Sequence, residues 1–524
     1  MTEESEGTHW ADQTADSIIE KRGNKKEYVV ATGATPSGIL HVGNFREFIM
    51  GDFIAKALRH KGKKAIHCHY WDDYDVFRKV PVNMPKQGVL KKCLRKPLVD
   101  VPDVIDGKHK NYTTHFEEDF EHYLPIVGLS PEIIRNSEQY QKCVLADQIK
   151  TALEKTDKIK EFLNEYRKED LAEEWLPISV YDEKTHFEAT ETRYPGGYEI
   201  EYKDNDGNWQ KFDFRKKGFI KLKYRIQVPA FWQYKGVDFE SAGKDHYASG
   251  GVFDIAPKLA KEVYGIKPAL GYGFGWISIK GGGQFSSSGG VVVTLKDVLD
   301  VYEPSMVRWF FAGSRPLSEF AISFDLDVLK YYEDFDRCER IYYKKEEAKD
   351  KREFEKQKRI YELSAVELSK KMPFQPLFRH LTTMYQLYQG NFDKIKEYYD
   401  LKNKEDEERL KLRTKCVGNW LEKHAPDDMK FEVQEEVSSE VKKSLSSEQK
   451  KALGILKDRL SSKKYDENSL YEDFMNICNE AGTKPLEFFR GAYRVLLNKE
   501  KGPKLAGFIM LLGVKRVIKL LEEV

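Results

Sequence analysis

Two stretches of the chain, TPSGILHVGN at 35–44 and WDDYD at 71–75, hold side chains suited to binding charge. In the first, Pro36 and Gly38 shape a turn, and Gly43 permits close approach to the backbone at a helix start. His41 stands where open N–H groups and the helix dipole favour an anion, so its ring can donate to a phosphoryl oxygen. The bland alternative is a packed turn with an incidental histidine. The second stretch ends an apolar run with Asp72, Asp73 and Asp75. Strand alternation would put Asp73 and Asp75 on one face and Asp72 on the other. Its alternative is a solvated acidic loop pairing with Arg78 and Lys79. Neither a G-x-x-x-x-G-K-[ST] loop nor a glycine triplet after a strand occurs, so a nucleotide must bind by another route.

The elements around these stretches explain why they would meet. EYVVATG (27–33) reads as a short buried strand, and Phe45, Phe48, Ile49 and Phe53 recur at helical spacing as far as HKGKK. AIHCHYW (65–71) reads as a second strand, completing a βαβ unit and hence a parallel sheet. Ligands bind beyond the carboxyl ends of such strands, where both stretches fall. Residues 85–230 look like an insertion: YPGGYEIEYKDNDGNWQKFDF (194–214) signals a hairpin around DNDGN, and GFIKLKYRIQV (218–228) alternates as a strand would. VFDIAPKLAKEVYG then reads as a helix and LGYGFGWISIKG as a strand and loop. From about 328 the pattern is helical to Val524, with VSSEVKKSLSSEQKK (437–451) as the best linker. The expected fold class is α/β, a Rossmann-like split parallel sheet with a β-rich insertion, plus an all-α C-terminal region. The halves of the catalytic domain would be 1–84 and 231–330, the insertion 85–230, and the helical part 331–524.

With 524 residues, two to four domains are expected. Charged residues make up 33% but net only +1, which argues against wholesale polyanion binding and leaves room for a local basic face. The six cysteines are scattered without a C-x-x-C pair, so neither a disulfide framework nor a structural zinc is expected. His67 and His69 share a strand face and read as a satisfied pair in or beside the core. The polar start MTEESEGTHWAD is no signal peptide, and no run of 18 apolar residues occurs, so the expectation is a soluble cytoplasmic protein without membrane association.

TPSGILHVGN resembles the HIGH motif of class I aminoacyl-tRNA synthetases, with Asn44 where a second histidine commonly stands. HWAD (9–12), TPSG…HVGNFRE (35–47), WDDYD…FRKVP (71–81), GVDFE (236–240), GKDH (243–246) and GAYRVLLNKEKGPKLAGFIMLLG (491–513) together look like the class I lysyl-tRNA synthetases, in colinear order. The resemblance implies that lysine carboxylate attacks the α-phosphorus of ATP and that lysine then passes to the 3′ end of tRNA(Lys). Mg²⁺ would arrive with ATP. By resemblance His41 serves the α-phosphate with Asn44, Gly43 lets adenine lie against the helix, and Pro36, Ser37 and Gly38 form the ATP turn. Gly243, Asp245 and His246 would lie near the nucleotide or the lysine, although a capping role for Asp245 and His246 stays open. Gly33 and Thr35 would complete the amino-acid end of the pocket. A buried lysine ammonium needs a carboxylate, for which Asp73 and Asp75 are the candidates, with Trp232 and Tyr272 walling the methylene stem. The family's mobile lysine loop falls at IKGGGQFSSSGGVVV (279–293), where Ser286, Ser287 and Ser288 survive but Gln284 and Gly289 replace lysines. Lys280, Lys244 or Mg²⁺ would have to compensate, or activation is slow. Two other readings follow from that departure: a synthetase-like RNA-binding or regulatory protein, and lysyl transfer to a non-tRNA acceptor. The helical region resembles the family's anticodon-binding part, with basic and aromatic residues mixed in FFRGAYRVLLNKEKGPK.

Overall fold

Val30, Ala31 and Thr32 are fully buried, as neighbours on both faces of a central parallel strand must be. They belong to β1 (Tyr28–Ala34) of a computed structural model that describes residues 9–281 and 292–524. β1 pairs in parallel with β2 (Ala65–Trp71), Ala34 level with Trp71, and β2 pairs with β3 (Glu132–Arg135), Trp71 level with Arg135. On its other side β1 pairs with β4 (Phe239–Glu240), Ala31 level with Glu240. The sheet order is therefore β3-β2-β1-β4, with every strand pointing the same way. Further along the chain come two more parallel pairs: β5 (Ala242–Gly243) with β6 (Gly273–Phe274), and β7 (Ile277–Ile279) with β8 (Phe320–Ile322). The split parallel sheet expected from the sequence is present.

Helix α2 (Val42–His60) crosses over from β1 to β2 and is buried almost all round, since α1 (Trp10–Arg22) and the helix Pro304–Ala312 also pack on it. Each of Phe45, Phe48 and Phe53 is fully buried, contributing on the order of 2–3 kcal/mol. Gly51 sets the distance between α2 and the sheet: a Cβ there would lie 2.5 Å from His67 Nε2 and 2.9 Å from the Thr32 methyl. Thr32 Oγ1 in turn sits 3.0 Å from His67 Nε2 and 2.9 Å from His69 Nδ1, so both histidines are core groups. Arg308 anchors the far side, donating to Asp52 at 2.6 Å and to the Val127 carbonyl at 3.0 Å.

The insertion carries the expected hairpin. Strands Glu199–Lys203 and Trp209–Asp213 pair antiparallel, Lys203 opposite Trp209, and the loop closes where Asp204 Oδ1 accepts the Asn208 N–H. The run at 218–228 differs from expectation: a strand occupies only Ile220–Leu222, and Tyr224–Lys235 is a helix. Ile226 through Trp232 are buried without a break, so the middle of this helix shows no exposed polar positions to give its period away.

The chain divides into two compact units. One comprises Met1–Leu299, Pro304–Ile322 and Cys338–Leu368; the other comprises Asp300–Glu303, Ser323–Arg337 and Ser369–Val524. The second is all-helical with its own core, built from Leu453, Leu456, Phe474, Phe488, Ile509 and Val517 among others. The stretch 437–451 is not an irregular linker. Ser438 and Ser446 are N-caps of Ser439–Ser444 and Ser447–Ser462, and Gln449 completes a capping box with Ser446. The serines that suggested a linker are there because their hydroxyls accept first-turn N–H groups.

Candidate active site

The strand registers fix the site. Ala34, Trp71 and Arg135 end β1, β2 and β3 at one level, so Thr35, Asp72 and Asn136 emerge along one sheet edge. The N-terminus of α2 opens at the same edge. His41 is its N-cap, with φ −101° and ψ 169°, and its backbone N–H donates to Asn44 Oδ1 at 3.0 Å. A Cβ on residue 43 would lie 2.7 Å from the His41 ring, so only Gly43 lets the imidazole fold against the first turn. Burial lowers the His41 pKa to about 4, which keeps the ring neutral at physiological pH. Val42 N–H donates to the Val293 carbonyl at 2.9 Å, bringing the chain that follows the serine-rich stretch to the start of α2.

A crevice of about 250 Å³ opens here, with His41, Gly43, Asn44 and Glu47 on the α2 side and Gly243, Asp245 and Trp276 among the residues opposite. Asp245 accepts from Trp276 Nε1 at 3.0 Å. Arg46 holds the two sides in place: its buried guanidinium donates to the carbonyls of Gly275 (2.6 Å), Pro316 (2.8 Å) and Ser318 (3.0 Å). The cluster expected from His41, Gly43, Asn44, Gly243 and Asp245 is thus brought together. Lys244 is not part of it; its ammonium pairs with Glu319 and lies 3.8 Å from the Trp276 ring centroid. His246 follows on a short 3-10 turn, its ring 6.1 Å from that of Tyr224 and its pKa lowered by burial.

The carboxylates fall differently from the alternation argument. β2 ends at Trp71, so Asp73 and Asp75 lie on a turn where period-two alternation no longer applies. Asp73 accepts the Ser137 N–H at 2.7 Å on one oxygen and the Ser137 hydroxyl on the other, capping the helix Asn136–Gln141. Asp75 is ion-paired with Lys221 at 2.6 Å. Neither lines the crevice. Asp72 is buried, accepting from Asn136 Nδ2 at 2.7 Å and from Gln227 Nε2, and burial followed by the Asp75 charge raises its pKa to about 7. Glu240, at the end of β4, accepts from the Tyr70 hydroxyl and from Trp232 Nε1, and burial raises it to about 7. Glu47 is raised well above the carboxylate range by burial, then by Glu240 and Asp72. Sequence reasoning missed Glu47, Glu240 and Tyr70 and set Asp72 aside. Glu47 was visible within HVGNFRE, one turn beyond Asn44.

The remaining expected residues surround this group. Gly33 lies under the Tyr70 ring, where a Cβ would come within 2.4 Å of it. Ser37 N–H donates to the Thr35 carbonyl at 2.9 Å, and the Ser37 carbonyl accepts from Tyr112 at 3.0 Å, fixing the turn that includes Pro36 and Gly38. Trp232 is buried against Glu240. Tyr272 instead turns its hydroxyl to within 3.4 Å of Thr14 Oγ1 on α1. Lys280 N–H donates to the Ile322 carbonyl at 3.0 Å. Gln284, Ser286, Ser287, Ser288 and Gly289 lie outside the described residues.

One further cluster could hold a cation. Asp106, His109 and His115 place a ligand atom each within 4.8 Å of one another, with Asp103 Oδ1 3.6 Å from His115 Nδ1. Their spacing, D-x2-D-x2-H-x5-H, was open to view, but a search guided by cysteine passes over it.

A family model described as tRNA synthetases class I (K) matches residues 8–367. A lysine–tRNA ligase of Borreliella burgdorferi is 45% identical across 98% of this chain and 99% of its own. That of Treponema pallidum is 38% identical across 98% of each. The lysine–tRNA ligase of Thermococcus kodakarensis is 37% identical across 98% of this chain and 99% of its own.

Proposed function

The chain belongs to the class I (K) tRNA synthetases, and from that premise we propose that the crevice at the start of α2 is where this lysine–tRNA ligase activates its amino acid. The substrates are lysine, ATP taken up as its magnesium complex, and tRNA. A lysine carboxylate oxygen attacks the α-phosphorus, the bond to the β-phosphate oxygen breaks, and pyrophosphate leaves. A hydroxyl at the 3′ end of tRNA then attacks the lysyl carbonyl and AMP departs. In-line displacement at phosphorus needs alignment and stabilisation of charge spreading over the phosphoryl oxygens.

The observation that carries this reading is the joint placement of His41, Gly43 and Asn44 at an open helix N-terminus, facing Gly243 and Asp245 across the crevice. The helix end offers partial positive charge, and the neutral His41 ring offers an N–H without the desolvation cost of an imidazolium. Asn44 holds the His41 backbone so that this donor is set before substrate arrives. The Gly43 surface beneath the ring leaves room for the nucleotide. No helix among the described residues is long and apolar enough to cross a membrane, which fits work in the cytoplasm.

Replacement of His41 by alanine tests the assignment. Removing one preorganised donor from a developing oxyanion is expected to lower the rate of lysine-dependent ATP–pyrophosphate exchange by about 100- to 1000-fold. The melting temperature should stay close to that of the unaltered protein, and the loss should be equal at pH 6 and pH 8, because the ring is neutral at both. Exchange kinetics that survive the substitution would remove His41 from the mechanism.

A further inference from the structure

Carboxyl groups gather on and behind the α2 side of the crevice. Glu47 lines the cavity one turn beyond Asn44 on α2, and its Oε2 is buried with no hydrogen-bond partner. Glu240 and Asp72 are near enough to act on its ionisation. Lys221, the cation that faces Asp72, is already paired with Asp75 at 2.6 Å. A second orphan lies beside Asp72: Asn136, 1% exposed, gives Nδ2 to Asp72 and leaves Oδ1 buried without a donor. Three aromatic residues border the same carboxylates. Tyr70 and Trp232 donate to Glu240, and Tyr224 feels the charges of Asp72, Glu47 and Glu240.

Buried acceptors without donors are costly unless something fills them, and buried carboxylates want a cation. A primary alkylammonium answers both needs: it brings three N–H donors and one positive charge, and its methylene stem suits aromatic walls. The spacing on α2 agrees. Six residues separate His41 from Glu47, about 9 Å along the helix axis, close to the reach from the carboxylate of an extended lysine to its ε-nitrogen.

Resting on the reading of the crevice as the lysine-activating site, we infer that Glu47 is the specificity-determining carboxylate that receives the ε-ammonium of lysine, with Glu240 and Asp72 as flanking acceptors. An amino acid of the same length without the terminal charge leaves Glu47 unanswered, which is how the site tells lysine from an apolar neighbour.

The test is ATP–pyrophosphate exchange with the full chain, unaltered and carrying Glu47→Gln, with thermal melts to establish folding. The KM for lysine is expected to rise about a hundredfold or more, while the KM for ATP stays within about threefold. The inhibition constant of 6-aminohexanoate, which keeps the ε-ammonium but lacks the α-ammonium, rises in parallel; that of norleucine, which lacks the ε-ammonium, holds. Glu47→Asp keeps the charge on a shorter stem and falls between, which carries the test if the glutamine variant folds poorly. An unchanged KM for lysine, or a 6-aminohexanoate constant that holds while that of norleucine rises, overturns the assignment and leaves the ligase reading intact. Absence of lysine-dependent exchange in the unaltered protein overturns that reading itself.

Discussion

Asp72 and Glu240 are buried carboxyls and Glu47 beside them has a buried Oε2, and a pH dependence follows from that placement. Burial raises Asp72 and Glu240 to about 7 and lifts Glu47 well above the ordinary carboxylate range. The groups that face them are Tyr70, Tyr224 and Trp232, with Lys221 held by Asp75. An entering ammonium favours the ionised carboxyls, so lysine binding expels protons. The KM for lysine should therefore fall by about tenfold between pH 6 and pH 8, with the KM for ATP nearly level. Stability runs the other way. These folded-state pKa values exceed the unfolded ones, so the stabilisation is complete below the ordinary carboxylate range, about pH 4, and is lost as pH rises through about 7. The ligand-free protein is expected to melt lower at pH 8 than at pH 6, and added lysine to raise the melting temperature more at pH 8. A pH-independent KM for lysine together with equal lysine-induced shifts would mean that the cluster never meets the substrate. Only part of this was readable in advance. The WDDYD cluster announced acid at a strand end, but which of its carboxylates turns inward depends on where β2 stops. Glu240 and Glu47 join the group through the β1–β4 register and the packing of α2, which no local spacing encodes.

Elements whose pattern is set by chain-local chemistry were the ones the sequence specified well. The β1–α2–β2 crossover carries apolar strands and a helical repeat of phenylalanines, and the 199–213 hairpin carries its own turn residues. Tyr224–Lys235 was misread because its unbroken buried run, Ile226 through Trp232, erases periodicity, and 437–451 because serine serves loops and N-caps alike. Asp73 is the same kind of case: its type fits a ligand carboxylate, yet its two oxygens are taken by Ser137 at the start of the helix Asn136–Gln141. Asp73→Ala would leave the buried N–H and hydroxyl of Ser137 without an acceptor, at a cost of about 1–3 kcal/mol. Urea unfolding should show that loss, while the KM for lysine in exchange stays within about twofold. A large rise in that KM without a loss of stability would return Asp73 to the amino-acid pocket.

Across the whole molecule, the crevice residues all lie in one compact unit, and the other unit has a helical core of its own. That second unit is braced internally by Arg413, fully buried and donating to Asp336 at 2.8 Å and to Glu303. Its surface exposes large apolar side chains: Tyr471 at 66% and Met475 at 53% lie four residues apart on one helix, and Leu486 at 61% lies in the first turn of the next. Apolar groups at i and i+4 share a face, and flat side chains on such a face suit unstacked bases. If this face meets tRNA, Tyr471→Ala and Leu486→Ala should each raise the KM for tRNA in lysine transfer by about tenfold, the order expected for one lost base stack. Lysine-dependent ATP–pyrophosphate exchange needs no tRNA in this scheme and should not change. The pair of assays therefore separates the units: a fall in charging alone assigns the face to RNA, whereas an equal fall in both would mean that these side chains serve the fold.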